Sequence, residues 1–343
     1  MSVQAMSVVV GLDVGGTKTN ATVLTDDGRF LVDHMVEVPS GVLEGPSAAI
    51  AAIDEAMSRV LELVALDHGS VRAIGLDTPG PASANGVISA RGATNFAAAE
   101  WWGFDFRAAV ERRLNLPVIY LNDGNAAALY AHERHFGDDA LRRSSVSAIV
   151  GTGLGGGVIE GGHVIRGAAG MAGELGHVQI PMEGLLVPGQ PVPRCNCGLA
   201  GDLESIASLS GIARNLLPFW LTRYPGHPLA GIDPDIAAKQ TRDYGERGDE
   251  LAGRIFDQQA TAIGRMFTIA SNVLDPDAYF VGGGVTDTGA EFRTAFLERV
   301  RKATQLRVEQ ASVATFAIVP DLDMAGARGS ALAALRAIRP AIL

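Results

Sequence analysis

Cys195 and Cys197, the two cysteines of the chain, stand in RCNCGLAGDLES, residues 194–205, with Asp202 and Glu204 close behind. Two sulfur donors beside carboxylates could hold a metal, act as a redox pair or pack as small hydrophobes. A bridge between positions i and i+2 would be strained. A second chemistry is written in glycine. GLDVGGTKTN puts Asp13 at a strand end, followed by Gly15, Gly16, Thr17 and Lys18. Glycines let main-chain N–H groups point at an anion, threonine adds a hydroxyl and lysine a charge. An ordinary hairpin turn would read the same way, and the stretch lacks the G-x-x-x-x-G-K-[ST] pattern of a Walker loop. GTGLGGG, from Gly151 to Gly157, fits G-x-G-x-x-G, but VIEGGHVI after it reads as strand and turn rather than helix. The dinucleotide fingerprint therefore fails on context. A glycine hairpin with Thr152 at its tip suits a phosphate clamp better. Gly282 to Gly284 close another strand. Glycine turns recurring at strand ends favour a phosphate-rich ligand over unrelated hairpins.

Acid–base chemistry needs a carboxylate placed at a cleft. LND ends a strand and GNAAAL begins a helix, which puts Asp123 at the corner, as a cleft-facing base or as a helix cap. HERH, His132 to His135, lacks the H-E-x-x-H spacing of a zinc site, and a solvated helix face is expected there.

These residues need elements to hold them. SVVVGLDVGG reads as a buried strand and turn, and TNATVLTDDGRFLVDHMVEV as two strands joined at Asp27-Gly28. GPSAAIAAIDEAMSRVLELVA has helical periodicity with Ser47 as N-cap, and VRAIGLDTPGPA is a strand running into a turn. A helix, a strand and a helix follow through residue 136, and VSAIVGTGLGGGVIEGGHVIRG then restarts the strand-turn-strand pattern. The restart implies two α/β halves: an N-terminal domain over 1–127 and a larger domain over 128–343 carrying the cysteine loop and the later glycine turns. SIASLSGIARNLLPFWL and GDELAGRIFDQQATAIGRMFTIASNVL read as helices, AYFVGGGV as a strand, and GSALAALRAI as a closing helix.

At 343 residues the chain can bury two cores, and 47% hydrophobic with 19% charged residues is a globular composition. A net charge of −10 argues against non-specific binding to nucleic acid or anionic membranes. MSVQAMSVVVGLDVGG lacks the features of a signal peptide, and no apolar run reaches the length of a membrane span, so a cytoplasmic protein with reduced thiols is expected.

GLDVGGTKT, DTPGPA, NDGNAAAL, GTGLGGGVIEGG, GELGHVQI, CNCGLAGDLES and NVLDPDAYFVGGGV follow the order and spacing seen in ROK proteins. The chain resembles that family, which comprises bacterial sugar kinases and sugar-responsive repressors, over nearly its whole length. The resemblance implies a two-domain actin-like ATPase (ribonuclease H-like) α/β fold, with ATP and sugar in the cleft between the domains. A C-terminal helix near 329–343 would pack back on the first domain. It assigns phosphate binding to Gly15, Thr17, Lys18, Gly151, Thr152 and Gly153, places Gly283 near the adenosine and gives Asp13 the task of positioning Mg²⁺. Asp123 becomes the base that takes the sugar hydroxyl's proton, and Asn95, Asn122, Glu174, His177 and Glu204 become sugar ligands. In the family a histidine and three cysteines hold a structural zinc. Here His177, Cys195 and Cys197 remain and Asp202 stands where the third cysteine would be, a hard oxygen in place of a softer sulfur.

The resemblance thus implies an ATP-dependent hexose kinase with glucose as default acceptor and a structural Zn²⁺, acting on a small-molecule sugar and nucleotide as a homodimer. N-acetylmannosamine, N-acetylglucosamine or fructose kinases share nearly all the motifs, and polyphosphate is an alternative donor. Repressors of the family carry a helix-turn-helix domain before the kinase-like region, and the short segment before Asp13 is not expected to hold one. A non-catalytic sugar-sensing regulator would not need Asp123 and the phosphate turns.

Overall fold

A computed structural model describes residues 6–80, 85–89 and 95–339. The chain forms two compact units: unit 1 comprises Met1–Gly137, His163–Ala172 and Pro320–Leu343, and unit 2 comprises Asp138–Gly162 and Gly173–Val319.

Unit 1 is built on β1 (Val8–Val14), β2 (Lys18–Thr25), β3 (Val36–Pro39), α1 (Pro46–Leu63), β4 (Val71–Thr78), α2 (Phe106–Leu114), β5 (Val118–Asn122) and α3 (Asp123–Phe136). The strand order is β3-β2-β1-β4-β5. β2 and β3 are antiparallel additions, while β4 and β5 run parallel to β1, as crossovers through helices require. Registers Asp13↔Asp77 and Thr78↔Asn122 line the carboxyl ends of β1, β4 and β5 up in one row. That is the edge of a parallel sheet where α/β proteins place ligands. β1 and β4 are buried nearly end to end, because helices and loops cover both faces.

The helix Leu322–Ile338 lies directly on β1, β4 and α3. Its contact is made backbone to backbone: a Cβ at Gly11 would overlap the Ala327 carbonyl, one at Gly75 the Ser330 carbonyl, and one at Gly329 the Ala126 carbonyl. A cut at 127/128 would fall inside α3, and the whole of that helix is packed in unit 1 beneath this late helix. Gly75→Ala should cost about 1–3 kcal/mol, the range for overpacking a tight core. An unchanged urea midpoint would contradict the close approach.

Several local expectations change. α1 starts at Pro46 with Gly45 at its N-cap, so Ser47 sits inside the first turn, where proline's fixed φ favours helix entry. Directly after the Asp27-Gly28 turn only a single bridge forms, Leu24 to Phe30, and the second strand begins later as β3, antiparallel to β2. Of HERH, His132 is fully buried against the Phe136 ring and His135 is exposed.

In unit 2, four strands of the second sheet run in the order Thr315–Ile318, Ala278–Gly283, β6 (Ser145–Val150) and β7 (Leu154–Glu160). The helix Glu250–Val273 buries Leu251, Ile255, Ile263, Met266 and Phe267 in one apolar stripe. SIASLSGIARNLLPFWL is not one helix. Ser208 is extended, and its hydroxyl caps the Gly211 N–H at 2.9 Å, so the chain restarts as a new turn there. Among the described residues no helix is long and apolar enough to cross a membrane.

Candidate nucleotide, sugar and metal sites

In unit 1 the turn after β1 is closed by Gly15 N–H donating to the Lys18 carbonyl at 2.8 Å. A Cβ at Gly16 would come within 2.6 Å of Asn95 Oδ1, so this turn and Asn95 are in contact. Thr17 is exposed at the tip. Lys18 leads away along β2, and its Nζ pairs with Glu37 at 2.7 Å. Gly15, Gly16 and Thr17 are thus gathered at the turn, whereas the Lys18 charge is engaged on β3.

Asp13 accepts from Asn20 Nδ2 at 3.3 Å and packs beneath Gly326, whose added Cβ would lie 2.9 Å from Asp13 Cγ. Beside it in register is Asp77, fully buried, with Ser330 Oγ donating to its Oδ2 at 2.7 Å. Burial pushes Asp13 up, and burial together with the Asp13 charge pushes Asp77 well above the ordinary 3.8. Sequence reading passed over Asp77, although an aspartate inside the apolar run AIGLDT was a visible signal. An acid raised in the folded state favours folding only while protonated. That contribution is complete below 3.8 and is lost as pH rises through the folded value. Asp77→Asn should therefore stabilise the protein at pH 8 by about 1–3 kcal/mol and much less at pH 4. A loss of stability at both pH values would count against the raised acid.

Asn122 and Asp123 divide the corner between β5 and α3. Asn122 is the N-cap, with its Oδ1 accepting the Asn125 N–H at 2.8 Å. Asp123 is the first helical residue, exposed, with Oδ1 accepting the Gly124 N–H at 2.7 Å. Capping is therefore the asparagine's task.

In unit 2 the hairpin between β6 and β7 is Gly151-Thr152-Gly153, closed by Gly151 N–H to the Gly153 carbonyl at 2.9 Å, with Thr152 exposed at its tip. Gly283 pairs with Val150 in the neighbouring parallel strand. Its φ of 93° and its contact with the Val150 carbonyl admit only glycine. The glycine hairpin and the late glycine turn are thus brought to one end of adjacent strands. Beside them is a cavity of about 270 Å³ walled by Val150, Leu209, Phe256, Val285, Gly284 and Arg242. It is apolar with a basic rim, a composition suited to a flat base and an anionic group. Arg242 Nη1 donates to the Gly284 carbonyl at 3.0 Å. Helical periodicity gave no sign that Arg242 and Phe256 would meet the glycine turn.

Glu174 precedes the short turn Leu175–His177. Gly176 of that turn lies against Glu204, with an added Cβ only 3.4 Å from the Glu204 Cβ. Glu204 is tied down rather than solvated: its Oε2 accepts the Leu154 N–H at 2.8 Å, and its Oε1 the Cys195 thiol at 3.3 Å.

His177, Cys195, Cys197 and Asp202 converge, with their donor atoms all within 4.8 Å of one another. His177 Nδ1 lies 3.4 Å from Asp202 Oδ2 and 3.9 Å from Cys195 Sγ, and Cys197 Sγ lies 3.5 Å from the same Asp202 oxygen. A tetrahedral ion with bonds of about 2.0–2.3 Å sets its ligands roughly 3.3–3.8 Å apart. The two edges to Asp202 Oδ2 fall in that range, the His177–Cys195 edge is slightly longer, and the N, S, S, O set suits zinc. Asp202 is fully buried, and its second oxygen accepts the Ser205 N–H at 3.0 Å. Without metal, the hydrogen bond with Asp202 pushes His177 up to about 9, and burial pushes the Cys195 thiol up. Burial also pushes Asp202 up, but its bonds with His177, Cys195 and Ser205 outweigh this and hold the carboxyl below its ordinary value.

The chain is 32% identical over 312 residues to a glucokinase of Halalkalibacterium halodurans, covering 87% of this chain and 89% of that one. The structure of a ROK hexokinase from Thermus thermophilus aligns with a TM-score of 0.74 at 32% identity, over 96% of this chain and 99% of that one. A ROK family glucokinase from Streptomyces griseus, solved with glucose and AMPPNP, aligns with a TM-score of 0.69 at 27% identity, over 96% and 100%. The two mixed sheets with their helices are accordingly the actin-like ATPase fold of ROK kinases. The ROK family model matches residues 9–337, and the chain belongs to the ROK family.

Proposed function

We propose that this protein transfers the γ-phosphoryl group of ATP to the 6-hydroxyl of a hexose, with glucose as the preferred acceptor. The observation that carries the reading is the division of labour at the head of α3. Asn122 caps the helix, and the Asp123 carboxylate beside it, held through Oδ1 by the Gly124 N–H, stays exposed. Relatives named glucokinase and hexokinase support the same chemistry.

The attacking hydroxyl forms a bond to the γ-phosphorus as the bond to the bridging oxygen breaks. Asp123 accepts the hydroxyl's proton, and ADP leaves. In unit 1, Gly15, Thr17 and Lys18 face phosphate, Asp13 orients a hydrated Mg²⁺, and Asn95 and Asn122 take sugar hydroxyls. For Lys18 this requires release from Glu37. In unit 2, Gly151, Thr152 and Gly153 hold phosphate through backbone N–H groups and the threonine hydroxyl, and Gly283 borders the adenosine cavity. Glu174, His177 and Glu204 accept from or donate to sugar hydroxyls. Mg²⁺, when bound, neutralises charge on the phosphates. Zn²⁺ is the ion proposed for His177, Cys195, Cys197 and Asp202, where it has a structural role.

The test is an ADP-release assay of metal-replete protein across glucose, mannose, fructose, N-acetylmannosamine and N-acetylglucosamine, with ATP and polyphosphate as donors. Turnover of glucose at the highest kcat/KM is expected. Absence of turnover with every sugar would overturn the kinase reading, and a better acceptor than glucose would replace the substrate.

A further inference from the structure

The loop that carries the metal ligands and the hairpin assigned to phosphate are joined by one carboxylate. Leu154 is buried, and its N–H at the start of β7 is satisfied by Glu204 Oε2 at 2.8 Å. The other oxygen of that carboxylate meets Cys195 Sγ at 3.3 Å. Room for the carboxylate exists because residue 153 is glycine, since a Cβ there would lie 2.6 Å from Oε2. The segment after Glu204 continues the grip: Leu209 N–H donates to the Gly151 carbonyl and Ser210 N–H to the Thr152 carbonyl, both at 3.0 Å. On the opposite side Gly176, next to His177, is wedged between the Leu154 carbonyl and Glu204. Cys195 therefore meets the carboxylate that holds the hairpin, and Gly176, the neighbour of His177, packs on the Cβ of the same side chain.

We propose that Glu204 is a positioning residue that couples the metal loop to the Gly151–Leu154 hairpin, so that metal at the His177/Cys195/Cys197/Asp202 cluster sets how firmly that hairpin is held. The effect on nucleotide rests on the kinase reading, whereas the effect on the hairpin does not. With the ion bound Cys195 is a thiolate and no longer donates to Oε1, so Glu204 is held by the fixed loop around it and by the Leu154 N–H. An unfixed loop lets Cys195 and Gly176 move, Glu204 follows, and the buried Leu154 N–H loses its acceptor. One such hydrogen bond corresponds to a factor of about two to ten in an equilibrium.

The experiment is amide exchange at Leu154, read by NMR, together with AMPPNP titration in the presence of Mg²⁺. Both are run on Zn²⁺-replete and chelator-stripped full-length protein. Stripping should speed Leu154 exchange and weaken AMPPNP binding, each by about two- to tenfold. Glu204→Ala should give fast exchange with Zn²⁺ bound and abolish the dependence on metal. Glu204→Gln should restore protection, because its amide oxygen can accept the same N–H. If Glu204→Ala does not fold, Gly153→Ala makes the same test by driving the carboxylate off Leu154 with Glu204 still in the chain. Metal-independent exchange at Leu154 in the unsubstituted protein, a metal effect that survives Glu204→Ala, or failure to take up Zn²⁺ would each overturn the coupling. Metal-dependent exchange without any AMPPNP binding would uphold the coupling and overturn the nucleotide reading instead.

Discussion

Asp123→Ala should lower kcat by about 10²–10⁴-fold, the range that a positioned general base supplies. Nucleotide affinity should change little. The size of the effect follows from where the carboxylate stands. At the first position of α3 the carboxylate is exposed and its Oδ1 accepts the Gly124 N–H, so the start of the helix fixes where it stands. The same position allows stability and activity to be separated. Because Asn122 makes the cap, Asp123→Ala should lose only the stability of the Gly124 N–H bond and cost less than the loss of the cap. Asn122→Ala should cost about 1 kcal/mol by removal of the cap. A variant at 123 that loses stability in proportion to activity would return the residue to a structural role. Asp123→Asn is the sharper replacement, since it keeps the shape and removes only the basicity, and it should be nearly as inactive as alanine.

The contrast between Asn122 and Asp123 shows what could be read before the structure. The corner itself was legible, because an apolar strand, a polar pair and an alanine-rich helix leave few other arrangements. Which of the two polar residues caps the helix depends on a single φ/ψ boundary, and sequence pattern does not resolve boundaries that finely. The glycine turns were legible for the same reason as the corner: Gly151 to Gly153 and Gly283 each end an apolar run. What escaped depends on partners distant in sequence. Lys18 carried the right chemistry for phosphate, but its pairing with Glu37 follows from the β2–β3 register. Asp77 reads as one polar residue in a strand until Ser330, on a helix that closes the chain, meets it. Arg242 and Phe256 reach the cavity from different helices. The metal cluster lay between these cases. Cys195, Cys197 and Asp202 are local, whereas His177 is brought in by the pairing of Gln179 with Asp202.

That cluster carries the second large expected effect. Stripping Zn²⁺, or replacing Cys197 with serine, should raise the sugar Kd by about 10–100-fold, as loss of the groups that orient a binding side chain commonly does. Nucleotide affinity should fall less. His177 turns Nδ1 toward the cluster, so a metal there fixes the ring and leaves Nε2 to carry the proton for a sugar hydroxyl. In the stripped protein the bond with Asp202 pushes His177 up to about 9, so the ring is an imidazolium at neutral pH. The stabilising His177–Asp202 pair is complete below the ordinary 6.5 and is lost as pH rises through about 9. Zn²⁺ must displace that proton and those of both thiols, so its affinity should climb steeply from pH 6 to 9, with proton release measurable by calorimetry in buffers of different ionisation enthalpy. Asp202 is the discriminating position, because its carboxylate serves two partners: Oδ2 faces the cluster and Oδ1 accepts the Ser205 N–H. Asp202→Asn should lose zinc while the Ser205 bond survives. Asp202→Cys should retain zinc through a third sulfur, yet give up that bond and about 1 kcal/mol of stability. Zinc content unchanged in Asp202→Asn would remove Asp202 from the ligand set and leave water as the fourth ligand, whereas loss of zinc with unchanged sugar affinity would detach the metal from the sugar site altogether.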